Sequence, residues 1–268
     1  MTYASKQLFY INSYFRTANS ASSSDFHFYL DIDPLSEYDR ISILDASIPK
    51  SNYAVISPHN TFDVIEDSGT RTITLPEGNY SRRGFKNVIE PLLNGNLDGY
   101  VYTVNYDNIR STVDTGKYTF AVTGGIIQPT FVFDHGMWNN MGFNKSTSYA
   151  FSGGTLTAPN VMNFRSQDTF FILSDIVQNR GDNVLAHIIS NQNEDFEHVN
   201  FKNHSVYEYS KDFSKMSSNV YHFRIVNESL DPIDLNGVDC FFTLMIYKKN
   251  NIDNLIKGFI KYKTMKDE

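Results

Sequence analysis

Seven histidines, one cysteine and thirty acidic side chains are the groups with which this chain of 268 residues could do chemistry. His198 and His204 are six positions apart, so on one strand they would share a face and offer half of a metal site. No other histidine neighbours them in sequence, and solvated strand positions are the plainer reading. Asp31 and Asp33 make a D-x-D pair that would also share a strand face. A lone pair marks neither a metal site nor acid–base machinery; solvation or local turn bonding accounts for it. Gly124-Gly125 and Gly153-Gly154 lack the Lys-Ser/Thr that follows a phosphate-binding loop, so they read as turn glycines. No G-x-S-x-G elbow is present, and nothing points to a Ser/His/Asp triad. The single Cys240 has no internal disulfide partner and excludes a Cys-rich metal site. Four N-x-S/T sequons, at Asn79, Asn144, Asn203 and Asn227, are what chance gives in a chain with 27 Asn. The expectation is a protein that is not an enzyme and takes no cofactor or metal.

Charge narrows the partners. The net charge of −7 gives no basic coat for phosphates, and Arg82-Arg83 and Lys248-Lys249 are too short for a nucleic-acid patch. No specific nucleic acid is expected. No apolar run is long enough for a transmembrane segment, and Met1–Tyr10 lacks the pattern of a signal peptide.

The elements that must position these groups are mostly strands. Aromatics make up 15% of the chain, and they favour strands, while the abundant Asn favours the turns between them. Asp25–Asp33 alternates, with Phe26, Phe28, Leu30 and Ile32 on one side. Arg40–Ile48 places Ile41 and Ile43 on one side but Leu44, Ala46 and Ile48 on the other, and Pro49 stops it. Thr61–Ile65 is a third candidate. Ser68-Gly69 and Pro76–Asn79 are turns around a strand at Thr70–Leu75. Ser81 is placed to cap a helix over 82–93, with Phe85, Val88, Ile89 and Leu92 on its apolar face and Tyr80 stapled to Phe85. Pro91 would kink or end its last turn. Strands follow at Tyr100–Asn105, Lys117–Val122 and Thr130–Phe133; residues 135–160 read as loop with short strands. Alternation returns at Thr169–Leu173, Val184–Ile189, Glu197–Tyr209, Val220–Val226 and Val238–Tyr247. In the last run Val238, Cys240, Phe242, Leu244 and Ile246 share a face, which makes Cys240 a small buried hydrophobe.

The resulting organisation is mainly β: an antiparallel jelly-roll β-sandwich with a small α+β insertion domain. Residues 1–24, rich in Ser and Asn, read as an N-terminal arm. Residues 25–67 and 159–250 form the discontinuous jelly-roll domain, 68–158 the inserted domain, and 251–268 a C-terminal tail. In the tail Ile252, Leu255, Ile256, Phe259 and Ile260 follow helical spacing beside several lysines. It would pack on its own domain, dock a partner protein, or lie on a membrane surface.

Thr74-Leu75-Pro76-Glu77-Gly78-Asn79-Tyr80-Ser81, leading into the helix, resembles the L-P-x-G-x-Y element of the penton, or vertex minor capsid, proteins of virophages and of Polinton-like or adintovirus-type DNA viruses, and further stretches keep that family's order. The Tyr102–Tyr106 strand, the Gly116-Lys117 turn and Met141-Gly142-Phe143 follow. Phe170–Val177, with Asp175 before a hydrophobic pair, and Asn183-Val184-Leu185 come next. Phe223-Arg224-Ile225 through Asp234-Leu235-Asn236-Gly237 to Phe242-Thr243-Leu244 resembles its closing strands. The likeness spans about 170 residues, from Thr74 to Tyr247, and the proline inside the helix departs from it. It implies structural roles for Pro76, Gly78, Tyr80, Ser81, Phe85, Gly142, Phe143, Asp175, Asn236 and Gly237. It also implies a homopentamer at the icosahedral vertex of a virion, contacting the major capsid protein and assembled inside the host cell. The insert and its 135–158 loop would then project outward, where a host surface receptor could be met. The alternatives are another minor capsid or cement protein, or a trimeric receptor- or glycan-binding spike module.

Overall fold

The computed structural model describes residues 6–33, 35, 37–106, 114–165, 169–177, 183–189 and 195–249. The tail residues Ile252, Leu255, Ile256, Phe259 and Ile260 lie outside the described residues. The chain divides into two compact units, one made of 1–52 with 167–268 and the other of 53–166. Both are built mainly from antiparallel sheets.

The first unit opens with β1 (Lys6–Asn12), a single 3₁₀ turn at Ser13–Phe15, β2 (Asp25–Tyr29) and β3 (Arg40–Pro49). The second unit carries β4 (Thr61–Glu66), β5 (Gly69–Thr74), α1 (Arg82–Asn94), β6 (Val101–Tyr106), β7 (Tyr118–Thr123), β8 (Thr130–Val132), α2 (Trp138–Met141), β9 (Ser148–Ala150) and β10 (Thr155–Thr157). The chain then returns to the first unit with β11 (Thr169–Ser174), β12 (Val184–Ile189), β13 (His198–Lys202), β14 (Lys211–Asp212), β15 (Val220–Val226) and β16 (Phe241–Tyr247).

Two sheets make the first unit. One has the order β1-β16-β3-β13, with the two-residue β14 also on β3; the other has the order β12-β11-β15-β2. Setting β14 aside as a stub, eight strands nest: first with last, second with seventh, third with sixth, fourth with fifth. Both sheets contribute to one core, in which Phe26, Ile43, Ile48, Phe170, Ile172, Phe223, Phe242 and Leu244 are buried together. On β15 the alternation places Tyr221, Phe223 and Ile225 inward, as a half-buried strand requires.

The change of side expected within β3 has a structural cause. Between Thr243 and Leu244 the register on β16 slips, so that Thr243 faces Asp45 and Leu244 faces Ile43. Leu44 is therefore an extra residue, a β-bulge, and Ile41, Ile43, Ala46 and Ile48 all reach the same core. At the other end of β16, Asn236 (φ 50°) and Gly237 (φ 76°) both occupy the left-handed region. Val238 N–H closes the turn on Leu235 C=O at 3.0 Å, which is the φ pattern of a type I′ turn. That turn takes Val238 out of the strand and leaves it exposed.

Three expectations need correction. The N-terminal arm over 1–24 is, from Lys6 to Asn12, a sheet strand paired along its length with β16, and Ile11 enters the core. The Ser and Asn content that suggested an arm belongs to the connection that follows. Second, the inserted unit begins at Tyr53 and ends at Ser166, not at 68 and 158. Thr61–Glu66 makes a tight hairpin with Gly69–Thr74 and pairs β8 on its other side, so it joins the insert. Third, the strand expected over 25–33 ends at Tyr29, although Leu30 and Ile32 remain buried.

In the second unit, one sheet has the order β10-β7-β6 and the other β5-β4-β8-β9. Its core is dominated by rings: Phe62, Phe85, Tyr102, Tyr118, Phe120, Phe131, Phe133 and Phe143 are fully or almost fully buried. They meet edge-on or tilted in most pairs, for example Phe120–Phe131 at 5.1 Å and 78°, the arrangement that ring quadrupoles favour. Ser81 caps α1, its Oγ accepting from Gly84 N–H at 3.0 Å. Phe85, Ile89 and Leu93 form the buried stripe. Pro91 sits on the exposed side of the last turn, where the missing N–H leaves a carbonyl open to water.

Candidate functional site

The ten residues singled out by the penton resemblance fall into two groups. Pro76, Gly78, Tyr80, Ser81, Phe85, Gly142 and Phe143 belong to the second unit; Asp175, Asn236 and Gly237 belong to the first. Within the first group Pro76, Gly78, Tyr80, Ser81 and Phe85 make a corner leading into α1. Gly78 exchanges backbone hydrogen bonds with Val55, and Asn79 Oδ1 accepts from Ala54 N–H at 2.6 Å. Tyr80 O–H donates to the Pro76 carbonyl, while its ring meets Phe85 and Phe164. Gly142 closes α2 with φ 80°, and a Cβ there would sit 2.3 Å from the Asn160 carbonyl oxygen, so only glycine fits. Phe143 stacks on Phe133 at 4.4 Å. In the first unit Asp175 Oδ1 accepts from His222 N–H at 2.9 Å. Asn236 Nδ2 donates to the Ser51 carbonyl, and Ser51 Oγ donates to the Leu235 carbonyl at 2.6 Å, tying the β16 turn to the end of β3.

The groups with chemical potential are dispersed. His198 bonds Ser47 Oγ through Nδ1 at 3.1 Å from the edge of β13, and His204 lies beyond that strand's end. Asp31 and Asp33 fall past the end of β2, in a loop where Asp33 Oδ1 accepts from Leu35 N–H at 2.8 Å, so they share no strand face. Cys240 is buried, and that burial pushes its thiol up to about 12, which leaves it protonated and inert at neutral pH. Among the described residues no group of three or more His, Cys, Asp or Glu is placed to hold a metal ion.

Two polar clusters were not legible in the sequence. On the outer face of β2 and β15, His27 and His222 stack parallel at 4.4 Å, and His222 Nε2 lies 2.6 Å from Asp25 Oδ1. In the second unit Glu66 is buried and receives Arg71 through two hydrogen bonds of 3.0 and 2.9 Å, with Tyr102 O–H a third donor at 2.8 Å. Burial first, then the Glu66 carboxylate, pushes the Tyr102 phenol far up, so it stays a donor. The other guanidinium N–H groups of Arg71 bond the Leu92 and Leu93 carbonyls, filling the open end of α1.

The surfaces of the first unit are more distinctive. β1 is an edge strand, unpaired on its outer side among the described residues. Leu8 and Tyr10 point outward from it, the latter 75% exposed. The register sets Phe241 opposite Asn12 on the same outer face, and it too is exposed. Tyr14 and Phe15 follow in the 3₁₀ turn, edge-to-face at 5.2 Å and both about two-thirds exposed, 68% and 69%. Asn12 Oδ1 holds this turn by accepting from Tyr14 N–H, and Arg16 anchors it to Asp239. Five large apolar side chains in one stretch of edge exceed the scattered exposure normal for a soluble surface.

At the opposite edges of both sheets, β12 and β13 flank a cavity of about 510 Å³. Ile43, Leu185 and Phe201 give it an apolar floor; Lys202, Lys211, His187 and His204 stand at its rim. That volume lies within the roughly 300–1,000 Å³ of ligand-sized pockets.

No protein-family model matches the chain, and no curated protein matches it. Among solved structures, a match covers 90% of this chain and 99% of the other, at 10% sequence identity and a TM-score of 0.48. The chain is similar to the mavirus penton protein.

Proposed function

We propose that this chain is a structural virion protein: a penton that forms the fivefold vertices of an icosahedral DNA-virus capsid and acts by geometry rather than by catalysis. One observation carries the reading. The nested pairing of eight strands in two sheets over one core supports reading the first unit as a jelly roll, and a contiguous second unit is inserted between its third and fourth strands. Jelly rolls of this kind recur as capsid building blocks. The order of sequence motifs that resembles the penton family supports the same assignment independently. The partners are then further copies of this chain and the major capsid protein, the place is the capsid vertex, and the inserted unit is free to meet a host receptor.

Light scattering behind size exclusion tests it. The expected species has a mass of about 150 kDa, five times the 30.7 kDa of one chain. A trimer would redirect the assignment to a minor capsomer or spike. A monomer that is also absent from purified particles would remove it.

A further inference from the structure

Resting on that reading, we propose that the aromatic edge at β1 of one copy docks into the cavity between β12 and β13 of the next, so that the two flanks of the first unit are the two halves of one heterologous contact. β1 and β13 end opposite edges of the same sheet, and β2 and β12 end opposite edges of the other. The β1 flank carries the projecting rings Tyr10, Tyr14 and Phe15; the β12 flank carries a cavity of about 510 Å³ over Ile43, Leu185 and Phe201. A projection and a recess on the same chain, on different faces, form a head-to-tail interface that closes into a ring when the rotation allows. Because the two lie at opposite edges, a single twofold axis does not bring both pairs of contacts together, as an isologous dimer would require.

The chemistry of the two halves matches. The floor offers apolar surface to the rings. Lys202 and Lys211 at the rim place ammonium groups where the faces and phenol oxygens of Tyr10 and Tyr14 would arrive, a cation–π and hydrogen-bonding environment. Rings that stay rigid on two torsions lose little entropy on docking, which is why Tyr anchors many interfaces. The projecting side is already ordered. Asn12 caps the Ser13–Phe15 turn, and Arg16 bonds both the Ser13 carbonyl and Asp239. No folding step is required for Tyr14 and Phe15 to be presented.

The full chain, carrying the photo-crosslinker p-benzoylphenylalanine at position 10 or 14, tests the contact. A mixture of unlabelled and nitrogen-15-labelled protein distinguishes crosslinks between copies from those within one copy. The expected products join position 10 or 14 of one copy to residues 184–187 or 201–211 of another. Lys202→Glu with Lys211→Glu is expected to weaken self-association by about tenfold or more, read as a fall in mass with dilution. Crosslinks between copies at any other site, in protein whose wild type has the fivefold mass, would overturn the contact and leave the penton reading standing. A wild type that is monomeric at every concentration and yields no crosslink between copies would overturn the contact; its presence or absence in purified particles then decides the penton reading separately.

Discussion

Replacing Arg71 with Met should unfold the second unit at markedly lower denaturant. Glu66 has a side chain only 2% exposed, and two of its three hydrogen-bond donors come from Arg71. In the variant the carboxylate keeps only the Tyr102 phenol, the Leu92 carbonyl loses its donor at the end of α1, and the Leu93 carbonyl keeps only the Asn96 side-chain amide at 3.1 Å. Breaking a buried ion pair by removing one partner costs about 3–5 kcal/mol. The Arg71 side chain is 27% exposed, so water can enter where it stood and the lower end, about 3 kcal/mol, applies. With a urea slope of about 1.5 kcal/mol/M, typical of a unit this size, the midpoint falls by about 2 M. The assay is built into the chain. Trp138 is the sole tryptophan, half-buried against the core of the second unit, so its fluorescence reports that unit alone. Glu66→Gln combined with Arg71→Met removes the charge that was stranded and should recover at least half of the loss. A midpoint shift under about 0.5 M for Arg71→Met, or strict additivity in the double variant, would refute the reasoning.

Further outcomes follow from other residues. Gly142→Ala forces a Cβ against the Asn160 carbonyl at a positive φ, and should destabilise the second unit by more than about 1 kcal/mol in the same urea assay. Asp67 is held below the usual carboxylate range, first by the Tyr100 hydroxyl at 2.7 Å and then by the Ile127 and Ile126 amides, against the opposing effect of desolvation. Its folded pKa is the lower one, so its contribution to stability is present above the unfolded value of about 3.9 and disappears as pH falls through the folded value. The gap in urea midpoint between wild type and Asp67→Asn should therefore be full at pH 6 and narrow below about pH 4. Cys240 should resist an aromatic disulfide reagent in the native protein and react at once in denaturant, because burial keeps its thiol protonated; fast native labelling would contradict the placement.

Much of the β architecture was legible because it rests on local patterns. Tyr221, Phe223 and Ile225 alternate, and Ser81 followed by Phe85 and Ile89 announces a capped helix. β1 was not legible, since Leu8 and Tyr10 on its outer face are as apolar as Phe9 and Ile11 on its inner face, and no alternation survives. The β4 strand was seen, but its allegiance depends on pairing with β5 and β8, which periodicity cannot specify. The polar clusters were hidden for a related reason. Glu66 and Arg71 are ordinary charged residues in sequence, and only the hairpin brings them to one side and aims them at the end of α1. The two flanks of the first unit draw on segments such as 8–15 and 201–211 with no common motif.

The pairing of β1 with β16 also sets an order of events during synthesis. Lys6 meets Tyr247 and Asn12 meets Phe241, so β1 finds its sheet neighbour only when nearly the whole described chain has emerged. Residues 53–166 are contiguous and hold their own core, so they can fold while the first unit is still waiting. Tyr10, Tyr14 and Phe15 thus pass through translation unpaired, beside an open strand edge. The hazard this creates is one of timing: copies made on neighbouring ribosomes present sticky N-terminal segments to each other before any of them owns a finished sandwich.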